Sequence, residues 1–361
     1  MAQLPENTNN TLHIIEQAVL QKAEDWKRHH LGASVIGNPC NRALWYGFRW
    51  CKAPALSGRQ LRLFARGQRE EDILVNLLRQ AGVRVITVDV NTGQQYRFSD
   101  IGGHFGGSMD GAALGLVEAP KTWHVLEFKT HNAKSFVALI KNGVQASKPM
   151  HYTQMQCYMH WTGMKRAYYM AVNKNDDSLY GERIHYDDAH AEAALSKADS
   201  IIKANEPPAG ISQNPEWYEC KWCDYHDLCF GQRIALKSCR TCIHATPIQG
   251  GNTGLWSCAL NQSIDAKQKK GCDQHLFIPV LIPFADPVDA NEAENWIQYE
   301  TQQGVCFRNC SQCDKGLAAY SSDELQHLPT GLIADAGIDQ IRTRLNAEIV
   351  CGRCGNEKIF Q

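Results

Sequence analysis

Residues 107–129, GSMDGAALGLVEAPKTWHVLEFK, carry the pattern that decides the fold of this chain. Asp110 lies in a glycine-rich strand, and a second strand ends on Glu127-Phe128-Lys129. Side chains alternate along a strand, so Glu127 and Lys129 point to one face while Phe128 points into the core. Carboxylates on one face suit Mg²⁺ or Mn²⁺, which polarises a phosphodiester and activates water. The alternative is a surface pair of strand residues, because matches to D…E-x-K arise by chance.

Hydrophobic periodicity predicts an alternation of helices and strands around this segment. Helices are expected at 11–30, 41–50, 59–81, 134–142, 149–162 and 187–205. Strands are expected at 83–90, 167–173 and 183–186. Three more, at 96–98, 105–114 and 124–129, are expected to be successive strands of one sheet. The helix over 59–81 is expected to place its core side chains at Leu63, Ile73, Leu77 and Leu78.

Two helices add polar side chains to this pattern. Glu71 follows Gly67 by four residues and could supply a further carboxylate, with the adjacent Glu70 as an alternative. Gln154 and Tyr158 are also four residues apart, hence on one face of their helix. An amide and a phenol there suit contacts to phosphate or to the nucleophilic water.

These motifs, in this order, resemble those of the PD-(D/E)XK nuclease superfamily and, within it, the RecB-type branch. The resemblance implies an α/β fold with a mixed sheet flanked by helices, and an Mg²⁺- or Mn²⁺-dependent deoxyribonuclease. It implies catalytic roles for Asp110, Glu127, Lys129, Gln154 and Tyr158. It implies metal ligation by Glu71, Asp110, Glu127 and the carbonyl of Phe128. Many RecB-type members have histidine where Glu71 stands, whereas lambda-type exonucleases have glutamate.

The resemblance further implies an exonuclease that acts on DNA ends in recombination, repair or phage DNA processing. The chain contains no G-x4-G-K-[ST] motif, so unwinding or annealing is expected from a partner, a helicase or a single-strand annealing protein. The alternative function is a DNA- or protein-binding adaptor that uses the nuclease fold and zinc modules as a scaffold.

Fifteen cysteines are grouped mainly as C-x2-C, and no apolar leader segment precedes them. In a reducing compartment such groups are metal ligands more often than disulfides. Cys220, Cys223 and Cys229 lack one ligand for a tetrahedral or cubane site, and Cys40 is the natural fourth. This spacing resembles the [4Fe–4S] staple of AddAB-type and CRISPR-adaptation nucleases. A zinc site with the same four thiolates is the alternative.

The cysteine-rich tail has two more candidate tetrads. Cys239, Cys242, Cys258 and Cys272 form one, with His275 as an alternative ligand and zinc preferred over a second cluster. Cys310, Cys313, Cys351 and Cys354 form the other, which resembles a zinc ribbon. The expected domains are therefore a nuclease domain at 1–236, a metal-binding module at 237–300 and a zinc-ribbon-like module at 301–361. Cys51, Cys157 and Cys306 are expected to be ordinary thiols.

The net charge of −1 excludes a globally basic DNA-binding protein, so any DNA-binding surface must be local. Arg59, Arg62, Arg66 and Arg69 recur at helical spacing with Glu71 at the end of their stripe, and we expect them to contact DNA. Trp45, Tyr46 and Trp50 either stack on single-stranded bases or pack around the cluster. The sequence has no run of eighteen apolar residues, so we expect no membrane segment and a place in the cytoplasm of a bacterial or phage-infected cell.

Overall fold

A computed structural model describes residues 10–22, 27–231, 233–260, 264, 268–312 and 318–350. The chain forms two compact units. The first consists of residues 1–39, 54–200 and 250–253, and the second of residues 40–53, 201–249 and 254–361. The units interleave along the chain, whereas the domains predicted at 1–236, 237–300 and 301–361 follow one another; that scheme stays a prediction.

The first part of the chain alternates helices with short strands. They are α1 (Asn10–Gln21), β1 (Leu31–Gly32), α2 (Ala33–Ile36), α3 (Asn41–Phe48), α4 (Gly58–Gln80), β2 (Arg84–Ile86), β3 (Arg97–Asp100), β4 (Phe105–Ser108), β5 (Gly111–Leu114), β6 (His124–His131), α5 (Ala133–Ser147), α6 (Pro149–Thr162), β7 (Arg166–Asn173), β8 (Leu179–His185) and α7 (Asp188–Lys203).

The later elements are shorter. They are α8 (Tyr218–Lys221), α9 (His226–Cys229), β9 (Ala245–Pro247), β10 (Trp256–Cys258), β11 (Ala285–Asn291), β12 (Trp296–Thr301), β13 (Cys306–Cys310), β14 (Ala319–Tyr320), α10 (Ser322–His327) and α11 (Ala336–Leu345). No helix in the described parts of the chain combines the length and the apolar character that a membrane crossing needs.

The first unit is organised by a five-stranded sheet in the order β2-β5-β6-β7-β8. Strands β6 and β7 are parallel, from Val125 opposite Ala167 to His131 opposite Asn173, and the other neighbours are antiparallel. A parallel pair needs a crossover connection, and α5 and α6 supply it. The predicted fold class, an α/β protein with a mixed sheet flanked by helices, is confirmed.

Helix α4 packs on this sheet through a face that differs from the predicted one. Leu74, Val75 and Leu78 are buried against sheet residues that include Leu126 and Phe128. Of the predicted core positions only Leu78 is buried; three are exposed, namely Leu63, Ile73 and Leu77. One residue turns a helix by about 100°, so moving the buried stripe from Ile73 to Leu74 changes the whole face.

The predicted strand 105–114 is two strands in two different sheets. Strand β4 belongs to a three-stranded sheet in the order β1-β4-β3, whereas β5 belongs to the five-stranded sheet. The expectation of one sheet for the strands between 96 and 129 is therefore wrong. The break falls at Met109 and Asp110, where the Asp110 carboxylate accepts a hydrogen bond from the Phe128 N–H at 2.8 Å. The helix predicted at 11–30 is shorter than expected: α1 ends at Gln21, and residues 27–30 are not helical. Strand β1, which follows the predicted helix, pairs with β4.

The second unit has a four-stranded sheet, β11-β12-β13-β14, with its own apolar core around Tyr299, Phe307 and Tyr320. Segment 40–53 belongs to this unit through two buried arginines. Arg240 donates to the Phe48 carbonyl at 2.9 Å and lies 3.8 Å from the centre of the Trp50 ring. Arg49 donates to the Ala204 carbonyl at 3.0 Å.

Candidate active site and cysteine clusters

Strand β6 presents Glu127 and Lys129 on the same face, as alternation along a strand requires. The Glu127 side chain has no exposed surface. Its Oε1 accepts from the Lys129 ammonium, whereas its Oε2 is buried without a hydrogen-bond partner. A buried carboxylate oxygen without a donor is costly, so this arrangement is suited to a further positive partner.

Asp110 lies beside Glu127 because the main chain of β6 holds it there. Its Oδ2 accepts from the Phe128 N–H at 2.8 Å. Burial raises the pKa of Asp110, and the Lys129 ammonium acts in the opposite direction. The two predicted carboxylates are therefore neighbours, although sixteen residues separate them in the sequence.

Glu71 is the third carboxylate of this group. Burial raises its pKa to about 7, and the Asp110 carboxylate adds to the rise. The alternative, Glu70, pairs instead with Arg66, with 3.6 Å between Oε1 and Nε. Of the two adjacent glutamates, Glu71 is thus the one whose electrostatic neighbours are the predicted site residues.

The site contains three carboxyl groups and one ammonium group, and the carboxyls resist ionisation while no further cation is bound. Burial raises the pKa of Glu127 to about 8; Lys129 opposes this rise and Asp110 and Glu71 add to it. Burial acts to lower the pKa of Lys129, but the carboxylates of Glu127 and Asp110 outweigh it, so the pKa is raised. Ionising all three carboxyls around one ammonium would leave a deficit of positive charge in a buried place.

The residues present fit a hard divalent cation by their chemistry. All the candidate ligands are oxygens: the carboxylates of Glu71, Asp110 and Glu127 and the Phe128 carbonyl, which suits Mg²⁺ or Mn²⁺. The buried Glu127 Oε2 without a partner is the observation that supports the fit. Among the described residues, however, no three His, Cys, Asp or Glu side chains converge closely enough to hold a metal ion. Lys129 also donates to the Phe128 carbonyl at 3.2 Å and interacts electrostatically with all three carboxylates.

Gln154 and Tyr158 lie on one face of α6, as predicted, but both are buried. The Tyr158 hydroxyl donates to the Ser108 carbonyl at 2.7 Å and accepts from the Gln154 amide at 3.1 Å. A Cβ on Gly107 would come within 2.9 Å of the Tyr158 ring, which explains the glycine at this position. The pair thus holds the end of β4, two residues before Asp110, rather than presenting free groups to a substrate.

Three residues beside this group were not predicted. His131 continues the row of Glu127 and Lys129 on β6, Tyr169 is the register partner of Glu127 on β7, and His151 lies one turn before Gln154 on α6. Burial raises the pKa of Tyr169 above its ordinary value, and Glu127 contributes to the rise. The sequence did contain a signal for the two histidines. His131 follows Lys129 by two residues on a strand, and His151 precedes Gln154 by three residues on a helix, so each shares a face with a predicted site residue.

The arginines of α4 lie apart from Glu71 around the helix. At 100° per residue, Glu71 shares its side with Gly67 and Val75, whereas Arg59, Arg62 and Arg69 are exposed. Arg62 pairs with Glu16 at 2.7 Å, and Arg66 with Glu70. Among the described residues, Arg59 and Arg69 form no ion pair. The predicted placement of Glu71 at the end of the stripe is thus not the one found.

The four cysteines of the first predicted tetrad all belong to the second unit, and electrostatic interactions link Cys223 to the other three, although no three of these four described residues converge closely enough to hold a metal ion. Burial raises the pKa of Cys223, and the thiols of Cys40 and Cys220 add to the rise. Cys229 has Tyr46 as a hydrogen-bond partner and Cys223 as an electrostatic neighbour. Four sulfur donors suit zinc or an iron–sulfur cluster.

The aromatic residues that precede this group are buried. Trp45, Tyr46 and Trp50 are at most 4% exposed. Tyr46 packs on Tyr225 with ring centroids 5.7 Å apart. Of the two predicted roles, packing near the cysteines fits this burial, and stacking on bases does not.

Electrostatic interactions also link the four members of the second predicted tetrad, all of them described in the structure, although no three of them converge closely enough to hold a metal ion. Burial raises the pKa of Cys239 to about 12, and the other three members, Cys242, Cys272 and Cys258, add to the rise. His275, the alternative ligand, is fully engaged: its Nδ1 bonds Ser322 at 2.8 Å and its Nε2 bonds Thr241 at 3.3 Å. Because both ring nitrogens have hydroxyl partners, neither is available for a metal, and Cys272 is the better candidate for the fourth ligand.

The third predicted tetrad cannot be assembled from the described residues. Cys310 is buried at the end of β13 and is disulfide-bonded, which is not the thiolate form that binds zinc. Cys313, Cys351 and Cys354 lie outside the described residues. Of the three predicted ordinary thiols, Cys51 and Cys157 are buried and Cys306 is exposed.

No protein-family model matches the sequence, and no curated protein matches it either. Among solved structures, the chain is similar to an alkaline exonuclease (LHK-Exo) from Laribacter hongkongensis, with 20% identity over 50% of this chain and 90% of that one and a TM-score of 0.33. The same exonuclease in complex with dAMP gives 21% identity, 48% and 87% coverage and a TM-score of 0.32. SSO0001 gives 14% identity, 63% and 98% coverage and a TM-score of 0.35. These likenesses are too weak to support an argument about the site.

Proposed function

We propose that this protein is a metal-dependent deoxyribonuclease whose active site is formed by Glu71, Asp110, Glu127 and Lys129. The single observation that carries the proposal is the Glu127 carboxylate, fully buried beside two other carboxylates and with Oε2 lacking any partner. A purely structural carboxylate would be hydrogen-bonded, since an unpaired buried oxygen lowers stability. Buried carboxyls with raised pKa values cluster at functional sites.

Each residue has a role that follows from its surroundings. A bound Mg²⁺ or Mn²⁺ would be held by Glu71, Asp110, Glu127 and the Phe128 carbonyl, and it would polarise the phosphodiester and lower the pKa of water. Lys129 orients the attacking water and stabilises the negative charge that develops on the phosphate. The Phe128 N–H holds Asp110 in place, and Gln154 and Tyr158 hold the end of β4.

Open space beside Glu71 supports access of a large substrate. Gly67 lies one helical turn before Glu71, and a Cβ there would meet nothing within 4 Å. A glycine inside a helix lowers stability by roughly 1 kcal/mol relative to alanine. Since no neighbouring atom requires a glycine at position 67, we attribute it to the approach of the substrate. This combination favours a polymer that passes next to α4.

The substrate that we propose is DNA, cleaved from its ends in recombination, repair or phage DNA processing. The exposed Arg59 and Arg69 would bind phosphates outside the catalytic group. A helicase or a single-strand annealing protein would supply the unwinding or annealing for which the sequence has no motif. These finer assignments rest on the motif resemblance, which the site geometry supports only in its carboxylates and lysine.

The cysteine groups are proposed as stabilising metal centres. A [4Fe–4S] cluster would bind Cys40, Cys220, Cys223 and Cys229, and Zn²⁺ would bind Cys239, Cys242, Cys258 and Cys272. Their mutual electrostatic influence on pKa values supports both groupings. A zinc site at Cys310, Cys313, Cys351 and Cys354 rests on the spacing alone and requires Cys310 to be a free thiolate instead of the disulfide found.

The test is cleavage of end-labelled linear and of circular DNA by anaerobically purified protein, with Mn²⁺ or with EDTA. The same assay is run on Lys129→Ala and on the control Lys141→Ala, an exposed lysine of α5. Loss of linear DNA only, with Mn²⁺ and not in Lys129→Ala, is the expected result. Cutting of circles would instead make the protein an endonuclease that uses the same site. DNA binding without cleavage under any metal would contradict the proposal and favour the adaptor.

A further inference from the structure

A chain of hydrogen-bonded side chains leads from α5 to the edge of the proposed active site. Lys148 Nζ donates to Ser135 Oγ at 2.7 Å, and Ser135 Oγ lies 3.1 Å from His131 Nδ1. His131 Nε2 lies 2.8 Å from the Tyr169 hydroxyl, which lies 3.0 Å from His151 Nδ1. Four residues from four elements, and Lys148 between α5 and α6, are thus connected, and no carboxylate takes part.

One assignment of donors and acceptors uses the proton of every group in this hydrogen-bonded series, and we adopt it. An ammonium can only donate, so Ser135 accepts from Lys148 and its own proton is available for His131 Nδ1. His131 then donates from Nε2 to the Tyr169 oxygen, and the Tyr169 hydroxyl donates to His151 Nδ1. With Nδ1 accepting, the proton of a neutral His151 ring resides on Nε2, at the end of the chain.

Both imidazoles are neutral at pH 7 in this environment. Burial lowers the pKa of His131 to about 4, and Lys148, Lys129 and Lys174 lower it further. Burial lowers the pKa of His151 to about 3, with Lys129, His131 and Lys148 acting in the same direction. Neutral rings fit the count, since each then has one proton and one lone pair.

His151 lies close enough to Lys129 to feel its charge, at the edge of the proposed active site. It is three residues before Gln154 and seven before Tyr158, so all three share one face of α6. Tyr169, which holds its Nδ1, is the register partner of Glu127. The ring is only partly buried, and within the described residues its Nε2 makes no hydrogen bond. A donor with no protein acceptor, beside Lys129, is suited to an anionic ligand.

We propose that His151 contacts the substrate, donating its Nε2–H to a non-bridging oxygen of the bound DNA phosphate, while Tyr169 and His131 act as positioning residues. The inference rests on the proposed nuclease function and adds to it a phosphate-binding residue outside the predicted motifs. A neutral donor there binds the phosphate without competing with a cation for the carboxylates.

The experiment compares His151→Gln, His151→Asn, His151→Ala and Tyr169→Phe in the Mn²⁺-dependent cleavage assay, using the full chain. The glutamine amide nitrogen reaches the position of Nε2, whereas asparagine ends at the position of Nδ1. We expect kcat to fall about 10- to 100-fold in the alanine and asparagine variants, as for a lost hydrogen bond to a charged group. The glutamine variant recovers about tenfold, and Tyr169→Phe falls with the alanine variant because its hydroxyl holds the ring.

The matched control is His160→Ala, on the same helix, whose Nδ1 also bonds a tyrosine hydroxyl, that of Tyr186, at 2.9 Å. His160 is exposed, and the kcat of His160→Ala should equal that of the wild type. Thermal unfolding identifies any variant that has lost its fold. If His151→Ala has done so, the comparison of kcat between His151→Gln and His151→Asn tests the inference. Wild-type kcat in His151→Ala, or equal losses in the glutamine and asparagine variants, would overturn the inference. If Glu127→Gln keeps full activity, the proposed function itself is wrong. If Glu127→Gln is inactive and His151→Ala is fully active, only the inference about His151 is wrong.

Discussion

At the scale of single residues, Glu127 shows how the site departs from an ordinary surface group. The D…E-x-K pattern suggests a solvated cavity, but the side chain is fully buried and one of its oxygens lacks a partner. The free energy of this arrangement depends on whether the carboxyl is ionised. In the metal-free protein an ionised Glu127 near Asp110 opposes folding, which makes stability depend on pH.

We predict that the free energy of unfolding of the metal-free protein, measured in EDTA, falls between about pH 4.5 and pH 8. The folded pKa values of Glu127 and Glu71 are raised from 4.5 to about 8 and about 7. A carboxyl with a raised folded pKa contributes stability fully below its unfolded pKa, and this contribution is lost as the pH rises to the folded value. The expected loss exceeds about 1 kcal/mol. Urea unfolding at a series of pH values measures it.

The Glu127→Gln variant provides the control for this pH dependence. It cannot ionise, so its unfolding curve should be flatter over the same window, and Mn²⁺ should stabilise the wild type more than the variant. An identical slope in both proteins would mean that Glu127 is ionised in the folded state without cost. The assignment of the orphaned oxygen as a cation ligand would then be untenable.

At the scale of elements, helix α4 separates three tasks around its circumference. Leu74, Val75 and Leu78 bind the helix to the sheet, Glu71 continues that side toward the active site, and exposed arginines occupy the rest. The helix begins with a capping box in which Ser57 and Gln60 satisfy each other's main-chain N–H groups. The buried half of α4 therefore positions Glu71. The exposed arginines of the helix do not take part in that positioning.

Two glycines near the site should respond oppositely to alanine. Gly67→Ala adds a methyl group to open space in a helix and should raise the free energy of unfolding by about 0.5–1 kcal/mol. Gly107→Ala brings Cβ within 2.9 Å of Tyr158 and should lower it by about 1–3 kcal/mol. Denaturant unfolding tests both. If Gly67→Ala is stabilising and cleaves DNA as well as the wild type, the glycine does not serve substrate approach.

The exposed arginines of α4 give a salt-dependent prediction. Arg59→Ala and Arg69→Ala should weaken DNA binding and reduce the slope of log K against log salt by about one each, since each releases about one counterion. Arg62→Ala is the matched control, because Arg62 already pairs with Glu16 at 2.7 Å. Binding titrations over a range of salt concentrations provide the measurement. Unchanged slopes in all three variants would place the DNA away from this side of α4.

At the scale of the whole molecule, the cysteine groups connect residues that are far apart in the chain. Cys40 and Cys220 are separated by 180 positions, yet both influence the pKa of Cys223. A metal centre that closes so long a loop is coupled to folding, because the unfolded chain cannot preform the site. The same unit holds the Arg49 and Arg240 contacts, which are independent of any metal.

We expect Cys220→Ala to lose the proposed cluster and thermal stability together. The anaerobically purified variant should lack iron and the visible absorption of the cluster, and its Tm should fall by several degrees. Cys306→Ala, at an exposed cysteine outside the tetrads, is the control and should retain both. A colourless, stable and active Cys220→Ala protein would refute the iron–sulfur staple. A wild-type protein that contains zinc and no iron would identify the metal of this site as zinc instead.

Local spacing determined much of this protein from its sequence. The mixed α/β fold, the pairing of Glu127 with Lys129 on one face, and the shared face of Gln154 and Tyr158 all follow from strand alternation and helical periodicity, which need no knowledge of neighbours. The grouping of the first two cysteine sets stays a prediction from C-x2-C spacing, because no three of their thiols, which all lie in the described parts of the chain, converge closely enough to hold a metal ion.

Tertiary structure alone decided the rest, because it depends on what packs against each element. Residues 105–114 divide between two sheets because the Asp110 carboxylate bonds the Phe128 N–H of another strand. Glu71 faces the site because Leu74, rather than Ile73, enters the core. The link from His131 through Tyr169 to His151 joins two strands and a helix that no sequence pattern relates. Contacts of this kind are set by three-dimensional proximity, for which the linear order of residues carries no local signal.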